Sequence, residues 1–311
     1  MIVEIFLSKA FSYKKVIVTG GSGFLGKNLK SEKSDWIYLS SKDCDLKDAN
    51  QVFSLFMDER PDAVVHLAGR VGGIRENAEN QAGFFHENTL INTNVIHEAH
   101  RANIDRVLSS LSTCAFPDIS EPYPFSEEAI FNGPPASTNF SYGMTKRMLH
   151  VASISYRKQY NRNYSTFSPS NIYGPHDYFN SEASHFVPSL VSKVVKAHSG
   201  DTLEFWGTGT PRRQQLFVED LTKIIPLLLE SHHSSCPLIV APYENLTIEE
   251  MIKISLQLLK KDVNITFNHK LDGQFRKDGS NKALLRLLGD FEFTSFREGL
   301  SKTIEWYKEN I

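Results

Sequence analysis

The residue types and spacings richest in chemistry lie near the middle of the chain. Tyr142-Gly-Met-Thr-Lys146 sets a phenol and an ammonium four residues apart, hence on one face of a helix about one turn from each other. A tyrosine with its ordinary pKa of about 10 is a poor proton carrier at neutral pH. A nearby ammonium stabilises the phenolate, so the spacing predicts a lowered pKa and a usable general acid. Taken alone, Y-x-x-x-K also fits any exposed helix surface. Ser112, in Leu108-Ser-Ser-Leu-Ser112-Thr-Cys114, follows the strand-like run Arg106-Val-Leu-Ser-Ser110. That places it at the carboxyl edge of a sheet, where ligands bind in open α/β folds.

A second signature lies near the start. Gly20, Gly23 and Gly26 give G-x-x-G-x-x-G directly after the β-branched run Lys15-Val-Ile-Val-Thr19, and an amphipathic stretch follows to about Lys30. Strand, glycine turn and helix in this order suit a dinucleotide. The turn is tight, its amides can approach a pyrophosphate, and the helix N-terminus favours negative charge. Gly20, Gly21, Ser22, Gly23, Phe24, Leu25 and Gly26 are the candidate contacts. The second strand, Trp36-Ile-Tyr-Leu39, runs into Ser40-Ser41-Lys42 with no carboxylate at its tip. A carboxylate there would take a ribose 2′-hydroxyl and repel a 2′-phosphate, whereas Ser41 and Lys42 suit the phosphate, so NADP is the expected cofactor.

The elements that position these groups read as alternating strands and helices. Further strand-like runs are Ala63-Val-Val-His-Leu67 and Tyr164-Ser-Thr-Phe167, with helical patterns over 48–59 and 88–102. Such alternation predicts an α/β fold with a doubly wound parallel sheet covered on both faces, a Rossmann-type domain. It is expected to span residues 15–178, with 214–242 returning to it and Pro237-Leu-Ile-Val240 as a late strand. Residues 179–213 and 243–311 are expected to form a smaller substrate-binding lobe, and 1–14 an extension. Thr247-Ile-Glu-Glu250 is a capping box ahead of an amphipathic helix.

Composition narrows the partners. The 311 residues carry a formal net charge of -2 with no basic block or acidic tail, so nucleic acid and anionic membrane have no electrostatic support and a small molecule is expected. The three cysteines are scattered, with no C-x-x-C and no zinc spacing, which predicts neither a disulfide framework nor a metal site and points to a reducing, cytosolic compartment.

Glycine turn, Ser112, Tyr142 and Lys146 together resemble the extended short-chain dehydrogenase/reductase family, whose Ser-Tyr-Lys set orients a substrate carbonyl and relays a proton to it. HLAGRVGGI, LSTCAFPD, FNGPP, SYGMTKRM, NIYGPHD, SHFVP, WGTGTPRRQ and DGQF resemble its GDP-sugar epimerase-reductases in order and spacing, over almost all the chain from Lys15. The resemblance implies NADPH-dependent 3,5-epimerisation and 4-reduction of GDP-4-keto-6-deoxy-D-mannose. A C4 ketone acidifies the hydrogens at C3 and C5, so a base and an acid on opposing faces can invert both centres through enolates. By the resemblance Cys114 is the base and His185, in Ser184-His185-Phe-Val-Pro188, the acid. Family spacing selects His185 over His176, which is left as a pocket residue. Ser112 and Tyr142 would hydrogen-bond the C4 oxygen as charge develops. Arg213 falls where a guanidinium holds the substrate diphosphate, and Lys193, Trp206 and Asp272 fall at other substrate positions. Asp45, Leu46, Leu67, Ala68, Leu111, Lys146, Pro169, Asn171 and Ile172 fall at cofactor positions. A homodimer through helices 88–102 and 142–159 is implied as well. The chain departs from the pattern at Gly69-Arg70, where an Ala-Ala pair is more usual, and at Ser168 and Ser170 around Pro169.

Rival readings make different demands. A 4-epimerase that retains NAD needs no acid-base pair at C3 and C5, and a dehydratase would carry Asp-Glu where Thr113-Cys114 stands. A non-catalytic nucleotide-binding module would have no use for a pKa-tuned phenol.

Overall fold

The computed structural model describes residues 12–179, 184–270 and 272–311. Most of the expected N-terminal extension, residues 180–183 and Leu271 lie outside them. In chain order the first half runs β1 (Val16–Thr19), α1 (Phe24–Glu32), β2 (Ile37–Leu39), α2 (Ala49–Glu59), β3 (Ala63–His66), α3 (Ile74–Glu79), α4 (Gln81–Arg101), β4 (Arg106–Ser110), α5 (Phe140–Tyr160) and β5 (Asn163–Pro169). The second half adds β6 (Asn171–Tyr173), α6 (Phe186–Lys196), β7 (Thr202–Phe205), β8 (Arg212–Arg213), β9 (Gln215–Phe217), α7 (Val218–Ser231) and β10 (Leu238–Val240). It closes with β11 (Leu246–Thr247), α8 (Ile248–Leu259), β12 (Asn264–Phe267), β13 (Arg276–Lys277), α9 (Lys282–Leu288) and α10 (Phe296–Asn310).

Six strands form one sheet in the order β10-β5-β4-β3-β1-β2, and every pair in it is parallel. The chain steps outward from β1 to β2 on one side and through β3, β4, β5 and β10 on the other. The reversal falls between β1 and β3, the place where open α/β sheets leave a crevice for a ligand. Alternate side chains of each strand feed opposite faces. Ile17, Val64 and Val107 pack with Val52 and Phe56 of α2, Val95 and Ile96 of α4, and Leu149 of α5. Val16, Val18, Val65 and Leu108 pack with Leu29 of α1, Leu221 and Ile224 of α7, and Leu284 and Leu288 of α9. The doubly wound sheet expected from the sequence is therefore present, although α9, in the segment assigned to the substrate lobe, lies on the sheet. A third apolar cluster joins α6, α8 and α10 around Phe205 and Phe217.

Local signals set the helix ends. Asp48 caps α2 by accepting from Asn50 N at 2.9 Å and Gln51 N at 3.3 Å, and the Thr247/Glu250 capping box heads α8. Helix α4 begins seven residues before the expected position 88, because Gln81 to Glu87 buries only Phe84 and shows no apolar stripe. Two small sheets, β7 with β12 and β11-β8-β13, are too short and too exposed to show in a periodicity.

Buried Arg106 secures the strand that carries the site. Its guanidinium donates to the carbonyls of Leu228, Leu229 and His232 and to Ser165 Oγ at 2.7–3.1 Å, satisfying the negative C-terminal pole of α7. Arg106→Leu removes the guanidinium donors from Leu229 O, His232 O and Ser165 Oγ and leaves Leu228 O with its bond from His232 N, and urea unfolding is expected to show a loss of about 3 kcal/mol.

Candidate active site

The glycine turn is built by close backbone approach. Gly20 leaves β1 with φ +76°, and a Cβ there would lie 2.9 Å from Ala68 Cα. One on Gly21 would meet Tyr38 Cβ at 2.6 Å, and one on Gly26 the Gly20 carbonyl at 2.4 Å. These contacts gather Leu67, Ala68 and the tip of β2 around the turn, where Gly21 N donates to Leu39 O at 2.7 Å. Gly23 caps α1 without any side-chain bond, and a Cβ on it would touch only the Gly20 carbonyl, at 3.2 Å. The helix N-terminus thus opens beside exposed Ser22, with Phe24 and Leu25 in its first turn. An open, uncapped, positive helix end fits a dinucleotide pyrophosphate.

At the tip of β2, Ser41 and Lys42 are exposed. A nearby carboxylate that strand-tip reasoning passed over, Asp43, folds back to accept from Ser40 N at 2.7 Å and Ser40 Oγ at 2.6 Å. Those bonds hold it below the usual carboxylate range and commit its charge to the turn. Asp45 accepts from Lys47 N at 3.0 Å, and Leu46 packs against the core. Leu111 and Pro169 are buried at the ends of β4 and β5, with Asn171 and Ile172 half-buried at the start of β6. The positions named from the sequence therefore line the carboxyl edge of the sheet.

Four of the candidate reactive groups converge at the end of β4. The Lys146 ammonium donates to Ser110 O at 2.8 Å, and its Nζ lies 5.8 Å from the Tyr142 ring centre. Gly143 allows α5 to approach the next turn of chain, since a Cβ there would lie 2.4 Å from the Cys114 carbonyl. Ser112 heads that turn, its Oγ accepting from Cys114 N at 3.1 Å.

The electrostatics differ from the expectation at Tyr142. Burial pushes the phenol well up and Cys114 pushes it further, with a hydrogen bond from Ser112 opposing. Lys146 does not rescue it, because the same burial lowers the ammonium to about 8. Spacing gave the proximity of the pair but not its desolvation. The phenol is consequently held protonated, the state required of a proton donor.

Cys114 shows the opposite balance. Burial pushes the thiol up, but Lys277 by charge and hydrogen bond, Ser112 by hydrogen bond and Arg213 by charge bring it below its ordinary value. Lys277 Nζ and Asn139 Nδ2 lie 2.9 and 3.0 Å from Sγ. Neither residue was singled out in the sequence. Register offers the missing signal, because β13 pairs with β8 so that Lys277 stands opposite Arg213.

His185 is the N-cap of α6 and is open to solvent yet deep among protein atoms. Desolvation and the charge of Lys277 lower its pKa, so it shares a cation with Cys114. His176 instead packs edge-on against Trp306 with ring centres 4.8 Å apart, and after burial it feels Lys27. The two histidines belong to different surroundings, and of the two it is His185 that feels the charge of the thiol's cation.

The substrate candidates are partly engaged elsewhere. Lys193 donates to the Glu204 carbonyl and lies over the Phe205 ring. Asp272 accepts from Thr208 N at 2.7 Å and from its hydroxyl, bracing the loop after exposed Trp206. Half-buried Arg213 donates one bond to Arg212 O at 2.7 Å. Among the described residues no group of three His, Cys, Asp or Glu is placed to hold a metal, and no helix is long and apolar enough to cross a membrane.

A nucleotide-binding sheet with a Ser-Tyr-Lys set at its carboxyl edge defines a class, and comparison bears it out: residues 16–238 match the NAD dependent epimerase/dehydratase family, to which the chain belongs. More particular likenesses follow. A protein of Drosophila melanogaster described as probable GDP-L-fucose synthase is 34% identical, covering 96% of this chain and 98% of its own. The GDP-L-fucose synthase of Dictyostelium discoideum is also 34% identical, over 98% of each. The crystal structure of a GDP-L-fucose synthetase from Naegleria fowleri bound to NADP superposes with a TM-score of 0.87 at 33% identity, covering 96% of this chain and 93% of that one.

Gly23 has φ -76° and extended geometry that any residue adopts. Gly23→Leu should therefore fold normally but fill the phosphate cradle. Fluorescence titration is expected to show NADPH binding weakened roughly tenfold or more, and unchanged affinity would contradict the placement.

Proposed function

We propose that this chain uses NADPH to epimerise GDP-4-keto-6-deoxy-D-mannose at C3 and C5 and to reduce it at C4, yielding GDP-L-fucose. The observation that carries the reading is the convergence of Ser112, Cys114, Tyr142 and Lys146 on one sheet edge, with His185 under the charge of the same cation as the thiol. The full-length likeness to GDP-L-fucose synthases supports the choice of sugar.

In this reading the cofactor lies along the glycine turn and the N-terminus of α1. Gly20 to Gly26 meet the pyrophosphate, and Ser41 and Lys42 the 2′-phosphate. Asp45 and Leu46 lie at the adenine, Leu67, Ala68 and Leu111 along the middle, and Pro169, Asn171 and Ile172 at the nicotinamide side. When bound, NADPH supplies the hydride that reduces C4. Arg213 holds the substrate diphosphate, with Lys193, Trp206 and Asp272 around the nucleotide.

Ser112 and Tyr142 donate hydrogen bonds to the C4 oxygen and stabilise the negative charge that builds there. Cys114 as thiolate takes the proton from C3 or C5. The S–H bond forms, and the C–H electron pair passes into the enolate. His185 returns a proton to the opposite face. In the free chain its lowered pKa leaves the imidazole neutral at pH 7, and the anionic GDP-sugar supplies the negative charge that favours its protonated form. Before the second inversion the Cys114 thiol releases its proton to solvent and His185 takes one up, which restores both groups; after it, Tyr142 gives its proton to the C4 oxygen. Its raised pKa keeps that proton in place until the alkoxide, a stronger base, arrives.

The reading extends to a cytosolic homodimer. All three cysteines are free, as suits a reducing compartment. Helices α4 and α5 pack together and leave Phe85, Phe140, Met148, Val151 and Tyr160 exposed, an apolar surface that a second copy would cover.

The test follows NADPH oxidation with GDP-4-keto-6-deoxy-D-mannose and identifies the sugar by NMR. GDP-L-fucose is expected from the wild type. Cys114→Ala and His185→Ala should still bind NADPH but form it roughly a hundredfold or more slowly. Cofactor binding without oxidation of NADPH by the wild type would sink the assignment.

A further inference from the structure

The pairing of Lys277 with Cys114 carries an inference of its own. Lys277 is only 9% exposed, and its chain neighbours Arg276 and Asp278 pair with each other at 2.6 Å rather than with it. Its Nζ lies 2.9 Å from Cys114 Sγ. An ammonium has three donors and no acceptor, and the second group on the sulfur, Asn139 Nδ2, also donates, at 3.0 Å. A sulfur faced by donors is in surroundings made for an acceptor.

The chain holds Lys277 there by bonds remote from the sulfur. The Gln274 side chain donates to the carbonyls of Pro117 at 3.3 Å and Asp118 at 2.6 Å, just beyond Cys114. Phe125 N donates to Asp278 O at 3.0 Å, and Ser280 N to Phe125 O at 2.8 Å. Residues 274–280 are thereby fastened across 117–125, and the register of β13 on β8 sets Lys277 beside Arg213.

We infer that Lys277 is a positioning residue that holds Cys114 as a thiolate, so that the base is formed before substrate arrives. This rests on reading Cys114 as the base. When the thiolate takes a proton from C3 or C5 the ion pair is lost, and the unpaired Lys277 charge favours release of that proton and return of the thiolate. The other groups around the sulfur are Arg213 from β8, Tyr142 and Lys146 from α5, and Ser112 beside it, with His185 at the N-cap of α6 feeling the charge of Lys277. Burial raises the thiol and Lys277 is the first of the groups that outweigh it.

The experiment measures alkylation of Cys114 by iodoacetamide, resolved by peptide mass spectrometry to separate it from exposed Cys236. The full chain with NADP+ bound is examined from about pH 5 to about pH 9 as wild type, Lys277→Met and Lys277→Arg. The wild type should react with a midpoint below the ordinary thiol value of about 8.5. Lys277→Met should shift the midpoint up by about one unit, leaving roughly tenfold less thiolate at neutral pH, and Lys277→Arg should restore most of it. Exchange of deuterium into C3 and C5 should fall in Lys277→Met at neutral pH and recover at high pH, which a merely structural lysine would not produce.

A wild-type midpoint at or above the ordinary value overturns the proposal whether or not the variants fold. So does an unchanged midpoint in a folded Lys277→Met. Retention of C3 and C5 exchange in Cys114→Ala would defeat the base assignment alone, since the alkylation profile would stand.

Discussion

The hydrogen bond from the Lys146 ammonium to the Ser110 carbonyl, 2.8 Å long, joins helix α5 to the end of β4, and the arrangement of the site depends on it. The bond ties the residue one turn after Tyr142 to the strand that leads directly into Ser112 and Cys114. Gly143 makes the joint possible by leaving room for the Cys114 carbonyl. Arg106 holds the other end of β4 through the carbonyls of α7. A site that must place a proton donor on an oxygen and a base on a neighbouring carbon tolerates little slack, and this strand is fixed at both ends.

The charge of the site is unlike that of the chain. The whole sequence has a formal net charge of -2, yet Lys146, Arg213 and Lys277 all act on one half-buried sulfur. Burial there works in opposite directions on neighbouring groups. It holds the Tyr142 phenol protonated, while at Cys114 the cations outweigh it. Proton donor and proton acceptor are thus separated within one desolvated pocket by which partners each group faces. An anionic GDP-sugar entering such a pocket meets positive charge already in place.

The sequence disclosed much of this because the informative residues are constrained locally. Gly20, Gly23 and Gly26 announce a turn by their spacing, and Tyr142 and Lys146 announce a shared helix face. Buried β-branched runs reveal the parallel strands. Other features were hidden for physical reasons. Lys277 lies on a strand of two residues, and its role arises from register with β8, so Arg-Lys-Asp reads as solvated surface. Asn139 and Asp43 act through side-chain geometry that no periodicity encodes. The sign of the Tyr142 shift was misread because four-residue spacing measures proximity while desolvation depends on what packs around both groups. His176 and His185 were separable only by likeness of spacing until Trp306 and Lys277 supplied their surroundings.

The central claim is that one pocket exchanges protons at two carbons and then reduces the carbonyl between them. The most direct test is turnover of GDP-4-keto-6-deoxy-D-mannose with unlabelled NADPH in deuterated water, with the product examined by NMR. The account predicts GDP-L-fucose carrying deuterium at C3 and C5, placed there from solvent, and protium at C4, delivered from the cofactor. A reduced sugar without deuterium at C3 and C5 would mean that the pocket reduces without epimerising, and the pairing of Cys114 with His185 would be contradicted.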